Sequence, residues 1–263
     1  MKNFDFRLGY DLLGWQDYGI RQRICTDISP SANSHMLICG MSGSGKSYFQ
    51  SQVFARLAKT DPSGEFFFAD YKGEDDFVHL CNSSKYYAYK NTTIALDTVY
   101  ERLQARLSGV DKTRNPITLF WDEYIANILA LINEDKKKAE IFMRKVSEIL
   151  LMGRSKSVRL IVSCQRPDAV AFPTGSRLNF GVVVILGAFN RSTYEMLMPD
   201  HMDEIKQKIK AKDFGRGEGS VLLQGSRLSY IKVGTVRDMK YVKELCKSGL
   251  NSSLFPLTTT PTL

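Results

Sequence analysis

Residues 40–47 read Gly40-Met41-Ser42-Gly43-Ser44-Gly45-Lys46-Ser47, a full match to the G-x-x-x-x-G-K-[ST] pattern. The chemistry served by that spacing is phosphate binding. Glycines let backbone N–H groups turn inward around an anion that side chains would obstruct. The helix expected to open at the lysine adds its positive end to the same anion. Lys46 is placed to reach the β and γ phosphates of ATP, and the Ser47 hydroxyl to hold Mg²⁺. Tyr48 completes the stretch expected to line the nucleotide.

A second group of chemically able residues follows apolar runs. Asp122 and Glu123 close the run Ile117-Thr118-Leu119-Phe120-Trp121, and Gln165 closes Val158–Cys164. A carboxylate in the first position belongs beside the cation, and the next one can polarise the attacking water as general base. Gln165 is positioned to sense the γ phosphate. An acidic pair after an apolar strand is structural about as often as it is functional, a false-positive rate that applies to any short motif. Its order behind a phosphate loop is what favours the functional reading. Together these parts describe a hydrolase that breaks the β–γ bond by positioning and charge neutralisation.

The elements that must hold these residues alternate along the chain. Met36–Cys39 is an apolar run leading into the loop, and Phe49, Val53, Phe54 and Leu57 then recur at helical spacing. Glu65–Ala69 reads as a buried strand ending at Asp70. A helix starts near Asn91-Thr92-Thr93, and another spans about 134–152, with Phe142, Val146, Ile149 and Leu150 inward. Gly181–Leu186 is one more apolar strand. Apolar runs separated by helices signal an α/β fold with a parallel sheet covered on both faces. Ser220–Gln224 and Leu228–Val233, joined through Gly225, predict an antiparallel hairpin at the sheet edge. A last helix is expected over about 236–247. This partitions the chain into lead-in strands (1–30), a main ATPase domain (31–247) and a flexible Ser/Thr/Pro-rich tail (248–263).

Composition narrows the class. The chain has 263 residues, 43% apolar and 24% charged, ordinary for a globular domain. Five scattered cysteines form no C-x-x-C pair and point to reduced thiols. No apolar stretch approaches the ~20 residues of a membrane span, and the start Met-Lys-Asn-Phe-Asp-Phe-Arg lacks a signal-peptide core. The expectation is a cytoplasmic protein without direct membrane insertion. A net charge of +8 favours a polyanionic partner. The densest basic spots are Lys136-Lys137-Lys138 and the stretch 205–212, either of which also reads as a solvated helix face.

Several segments carry a family resemblance over roughly residues 8–225. Leu8-Gly9-Tyr10-Asp11 with Gly14 is similar to a lead-in hairpin, and Ser34-His35 before the apolar run to a Pro-His-hydrophobic segment. Asp70-Tyr71-Lys72-Gly73 matches an Asp-x-Lys segment. Gly153-Arg154, a strand and then Gln165-Arg166-Pro167 form the most specific signature, followed by the Gly-rich turn Gly215-Arg216-Gly217-Glu218-Gly219. In these segments the chain resembles the FtsK/SpoIIIE–HerA DNA-translocase ATPases, in particular FtsK-like motor proteins of bacterial mobile and conjugative elements. The resemblance implies a RecA-like P-loop NTPase fold of the additional-strand type. It also implies a homo-oligomeric, usually hexameric ring around sequence-tolerant double-stranded DNA, and an arginine acting in trans on the neighbour's ATP. Arg154, Arg166 and Arg191 are the candidates, and sequence leaves the choice open. Lys206, Lys208, Lys210, Lys212 and the segment after Pro167 are candidate DNA-facing positions. A relaxase, replication protein or membrane-anchored partner would set the pathway: transfer, processing, replication or packaging. Unlike cell-division and conjugation members, the chain is expected to carry no N-terminal membrane anchor and no C-terminal winged-helix module. Two other readings compete: a phosphotransferase, and a nucleotide-switched scaffold for a relaxase or replication protein with little DNA-stimulated turnover.

Overall fold

The computed structural model describes residues 6–29, 34–73, 75–172, 175–209 and 214–251. In chain order its main elements are β1 (Phe6–Asp11), α1 (Leu12–Tyr18), β2 (Arg23–Thr26), β3 (Met36–Gly40), α2 (Lys46–Thr60), β4 (Glu65–Asp70), β5 (Tyr86–Ala88) and α3 (Thr92–Leu107). They continue as β6 (Ile117–Asp122), α4 (Tyr124–Glu134), α5 (Lys136–Met152), β7 (Val158–Cys164), β8 (Val182–Leu186), α6 (Arg191–Leu197), α7 (Met202–Ile209), β9 (Glu218–Leu223), β10 (Arg227–Lys232) and α8 (Met239–Asn251).

One ten-stranded sheet runs β2-β1-β10-β9-β8-β3-β7-β6-β4-β5. The strands from β8 to β5 are mutually parallel, and those from β8 to β2 pair antiparallel. β7 lies between β3 and β6, so an additional strand separates the phosphate-loop strand from the one ending at Asp122. This is the expected P-loop α/β architecture. The β9–β10 hairpin is antiparallel as its sequence suggests, but it does not sit at the edge. β1 pairs with β10 and β2 pairs with β1, which makes the N-terminal hairpin the border.

Alternation along the strands sends side chains into two cores. Leu37, Cys39, Phe67, Ala69, Leu119 and Trp121 join α3, α4 and α5 on one face. Met36, Ile38, Phe66, Phe68 and Phe120 join α2 and α8 on the other. Phe54 of α2 centres that second core, with ring centroids 4.4 Å from Phe120, 5.4 Å from Phe66 and 6.1 Å from Phe68. The final helix differs from its expected span: it continues through 248–251, with Leu250 buried and Gly249 packed against Phe54 and Ala58. The rest of the expected tail, 252–263, lies outside the described residues. Among the described residues no helix is long and apolar enough to cross a membrane.

Candidate nucleotide site

Parallel strands deliver their following loops to one end of the sheet, where ligands of open α/β folds bind. There the 40–47 loop, Glu123 and Gln165 border one cleft of about 270 Å³. Gly40 ends β3 and is buried. Gly43 and Gly45 adopt φ of 81° and 94°, a left-handed region closed to most side chains, so the loop curls as the motif requires. Met41, Ser42, Gly43, Gly45, Ser47 and Tyr48 line the cleft. Ser44 keeps its hydroxyl buried, with no hydrogen-bond partner among the described residues. The Tyr48 hydroxyl instead accepts the Val236 N–H at 2.5 Å, tying α2 to the segment before α8.

Lys46 is the centre of charge. Its Nζ donates to Glu123 Oε1 at 2.5 Å and lies 3.7 Å from Asp122 Oδ1, and Lys72 Nζ stands 3.7 Å from the same Glu123 oxygen. Burial pulls the Lys46 pKa down, but the Asp122 and Glu123 carboxylates outweigh it and hold the ammonium above its ordinary value. Asp122 behaves oppositely. Burial pushes its carboxyl up to about 6, assisted by Glu123 and Asp70, against the lowering effect of Lys46 and of the hydrogen bond from Ser163 Oγ. A buried carboxylate that its neighbours do not fully compensate fits a divalent cation, and the Ser163 contact orients it. Among the described residues no three His, Cys, Asp or Glu side chains gather at metal-binding spacing, so such a cation would share its shell with Ser47 and the nucleotide.

Glu123 sits in a left-handed conformation, φ 54° and ψ 42°, between β6 and α4. A non-glycine residue there is strained by about 1 kcal/mol or more. The turn aims the carboxylate at Lys46 rather than letting the strand continue. Gln165 borders the cleft, and its backbone carbonyl accepts the Cys39 thiol.

The arginines separate. Arg166 is exposed beside the loop, with Nε 3.5 Å from Met41 Sδ. Arg191 is exposed and pairs with Glu195 at 2.7 Å. Arg154 lies in the turn Gly153–Lys156 before β7, in a cleft of about 580 Å³ with His35 and Gly181. That cleft is at the opposite ends of the strands. Of the lysines expected to face DNA, Lys206 and Lys208 are exposed on α7, with Lys208 paired to Glu204 at 3.1 Å, while Lys210 and Lys212 lie outside the described residues.

Five residues missed by sequence reasoning border the candidate nucleotide cleft: Ser51, Asp76, Arg216, Met239 and Lys243. Only Arg216 had a signal, in its Gly-rich turn. That turn closes on the loop, since Gly217 N–H donates to the Ser44 carbonyl at 2.8 Å. A side chain added at Gly45 would meet Gly217 N at 3.2 Å.

Residues 13–169 match the family model described as the central domain of the helicase HerA. The FtsK domain-containing protein YdcQ of Bacillus subtilis (strain 168) is 28% identical over 208 residues, covering 71% of this chain and 40% of that protein. The chain therefore spans less than half the length of this curated relative. Among solved structures, the cytoplasmic domain of the type VII secretion ATPase EccC from Thermomonospora curvata aligns with a TM-score of 0.65 at 18% identity, over 98% of this chain and 32% of that one. The pCW3 conjugation coupling protein TcpA, as a monomer with ATPγS, gives 0.64 at 20% identity, over 86% of this chain and 67% of that one. Those identities speak to the fold. The family match reaches further, because it runs from α1 through the phosphate loop, Asp122 and Glu123 to the turn after Gln165, and on it the chain belongs to the FtsK/HerA family of P-loop ATPases.

Proposed function

We propose that this chain is an ATP-hydrolysing DNA motor that works during transfer, processing or replication of a mobile element. The convergence of Lys46, Asp122 and Glu123 at 2.5 and 3.7 Å, where α2 begins and β6 ends, is the observation that carries the reading. In the loaded site the 40–47 backbone and Lys46 hold the phosphates, while Ser47 and Asp122 hold Mg²⁺. The cation supplies charge neutralisation at the β–γ bond. Glu123 takes the proton of the attacking water, and Gln165 orients that water.

Arg154 is the arginine best suited to act in trans. β7 spans about 20 Å at ~3.3 Å per residue, and Arg154 precedes it while the phosphate loop stands beyond its other end. It therefore reaches a phosphate only on another copy, as a homo-oligomeric ring with shared sites requires. The net charge of +8 and the exposed lysines suit backbone-directed, sequence-tolerant contact with DNA. The likeness to TcpA, described as a conjugation coupling protein, supports the mobile-element setting.

Steady-state ATP hydrolysis with and without linear duplex DNA, with Glu123→Gln as blank, tests the reading. Stimulation that vanishes in the variant is the expected result. Slow turnover indifferent to DNA would leave the nucleotide-switched scaffold as the better account.

A further inference from the structure

The basic run Lys136-Lys137-Lys138 has no part in nucleotide chemistry, yet it opens α5 beside a second cleft of about 270 Å³. Tyr71, Tyr89, Lys90, Asn127, Glu134 and Lys138 border that cleft. Tyr71 follows Asp70 at the end of β4 and Tyr89 follows β5, so the cleft shares the nucleotide's end of the sheet. The two tyrosine rings stack with centroids 5.6 Å apart at 21°. That gap is too narrow for a third ring, but Tyr89 is 56% exposed and turns its outer face to solvent.

Tyr89 is held where it is at a cost. Its φ is 51°, a left-handed conformation that an aromatic residue rarely adopts. Thr92 Oγ1 fixes it, standing 2.7 Å from the Tyr89 carbonyl oxygen and 2.8 Å from Asn127 Oδ1. Asn127 N–H in turn donates to the Glu123 carbonyl at 3.1 Å. On the other side, Lys72 follows Tyr71 and stands 3.7 Å from Glu123 Oε1. Both tyrosines thus connect through one or two residues to the proposed general base. Lys90 is pinned by Glu134 at 3.4 Å across two well-exposed side chains, a contact weak enough for a phosphate to replace.

Resting on the motor reading, we propose that Tyr89, backed by Tyr71, is a stacking platform for an unpaired base of single-stranded nucleic acid. Lys90 and Lys138 take the adjoining phosphates. Aromatic faces with flanking cations are how single strands are held without sequence preference. A duplex keeps its bases stacked on one another and offers Tyr89 no face. Occupancy reports to Glu123 through Asn127, so a bound strand stimulates hydrolysis.

The test compares Tyr89→Phe and Tyr89→Leu with the parent, using a fluorescein-labelled oligothymidylate with ATPγS for anisotropy and the same unlabelled strand for stimulation of hydrolysis. Leucine should weaken strand binding about tenfold and raise the half-stimulating strand concentration to match, while phenylalanine stays near the parent. Hydrolysis without nucleic acid should be unchanged in both. Equal binding by the leucine variant, or a duplex competing as well as the single strand, overturns the platform. Duplex-stimulated hydrolysis, measured in parallel on the parent, is the separate readout on which the motor reading stands or falls. A parent that binds no strand overturns the platform whatever the duplex does.

Discussion

Lys46 Nζ and Glu123 Oε1 stand 2.5 Å apart, the proposed phosphate-binding cation closed on the proposed catalytic base. Neither group can do its work while so paired. In the proposed mechanism, phosphate draws Lys46 away before the Glu123 carboxylate is free to meet water. On the proposed roles, nucleotide arrival and activation of the base would be one event.

Glu123→Gln should retain ATP binding and lose about 10²–10⁴ in hydrolysis rate, since only the proton acceptor disappears. Lys46→Ala should lose binding itself. Equilibrium binding of a fluorescent ATP analogue beside single-turnover hydrolysis separates the two. A glutamine variant that turns over at the parent rate would remove Glu123 from the role of base.

Asp122 makes stability depend on pH. Its carboxyl is raised to about 6 in the folded protein, by burial first, against about 3.9 for an unfolded chain. A raised acid binds its proton more tightly when folded. The stability it contributes is therefore full below about pH 4 and is lost as pH rises through about 6. Asp122→Asn should accordingly gain on the parent by about 2–3 kcal/mol across that window, with the gain levelling above pH 7, while its Mg²⁺-dependent hydrolysis disappears. Urea midpoints of both proteins from pH 4.5 to 7.5 measure it. A gap that does not change with pH would contradict the assignment.

Phe54 tests the packing that holds α2, and with it the phosphate loop. It is fully buried among Phe66, Phe68 and Phe120, with Gly249 of α8 against its ring. Phe54→Ala leaves a cavity that sheet and helices cannot both close over, at a cost of about 3–5 kcal/mol. Phe54→Leu should cost clearly less. Chemical denaturation gives both numbers, and equal costs would mean that α2 relaxes into the gap.

What the sequence made legible was local. The phosphate loop carries its own spacing, and the strand ends at Asp122 and Gln165 follow from apolar runs of strand length. What it hid depends on distant pairing. β1 meets β10 across more than two hundred residues, so nothing near Arg227 signals that the hairpin is interior. α4 escaped because Tyr124–Leu131 is largely apolar and lacks the polar face that marks a surface helix. Its start also depends on the left-handed turn at Glu123. Asp76, Met239 and Lys243 reach the cleft from segments with no common motif. The fold, rather than any local pattern, brings them together.

The opposed placement of Arg154 and the phosphate loop makes a prediction that no single variant can meet by accident. Arg154→Ala keeps its phosphate loop and Glu123 but offers no arginine to a neighbour. Lys46→Ala keeps Arg154 but has no working site. Each alone should be nearly silent, the first through loss of a transition-state contact worth about 10³ or more in rate. Mixed, the second variant lends its arginine to the intact site of the first, and hydrolysis should return in part, rising with the fraction of mixed neighbours. A phosphate contact within one chain gives no such recovery. Arg166→Ala mixed with Lys46→Ala is the control, because Arg166 stands beside its own loop at Met41. Recovery in the first mixture and not in the control would fix both the arginine and the sharing of the site; recovery only in the control would exchange their roles.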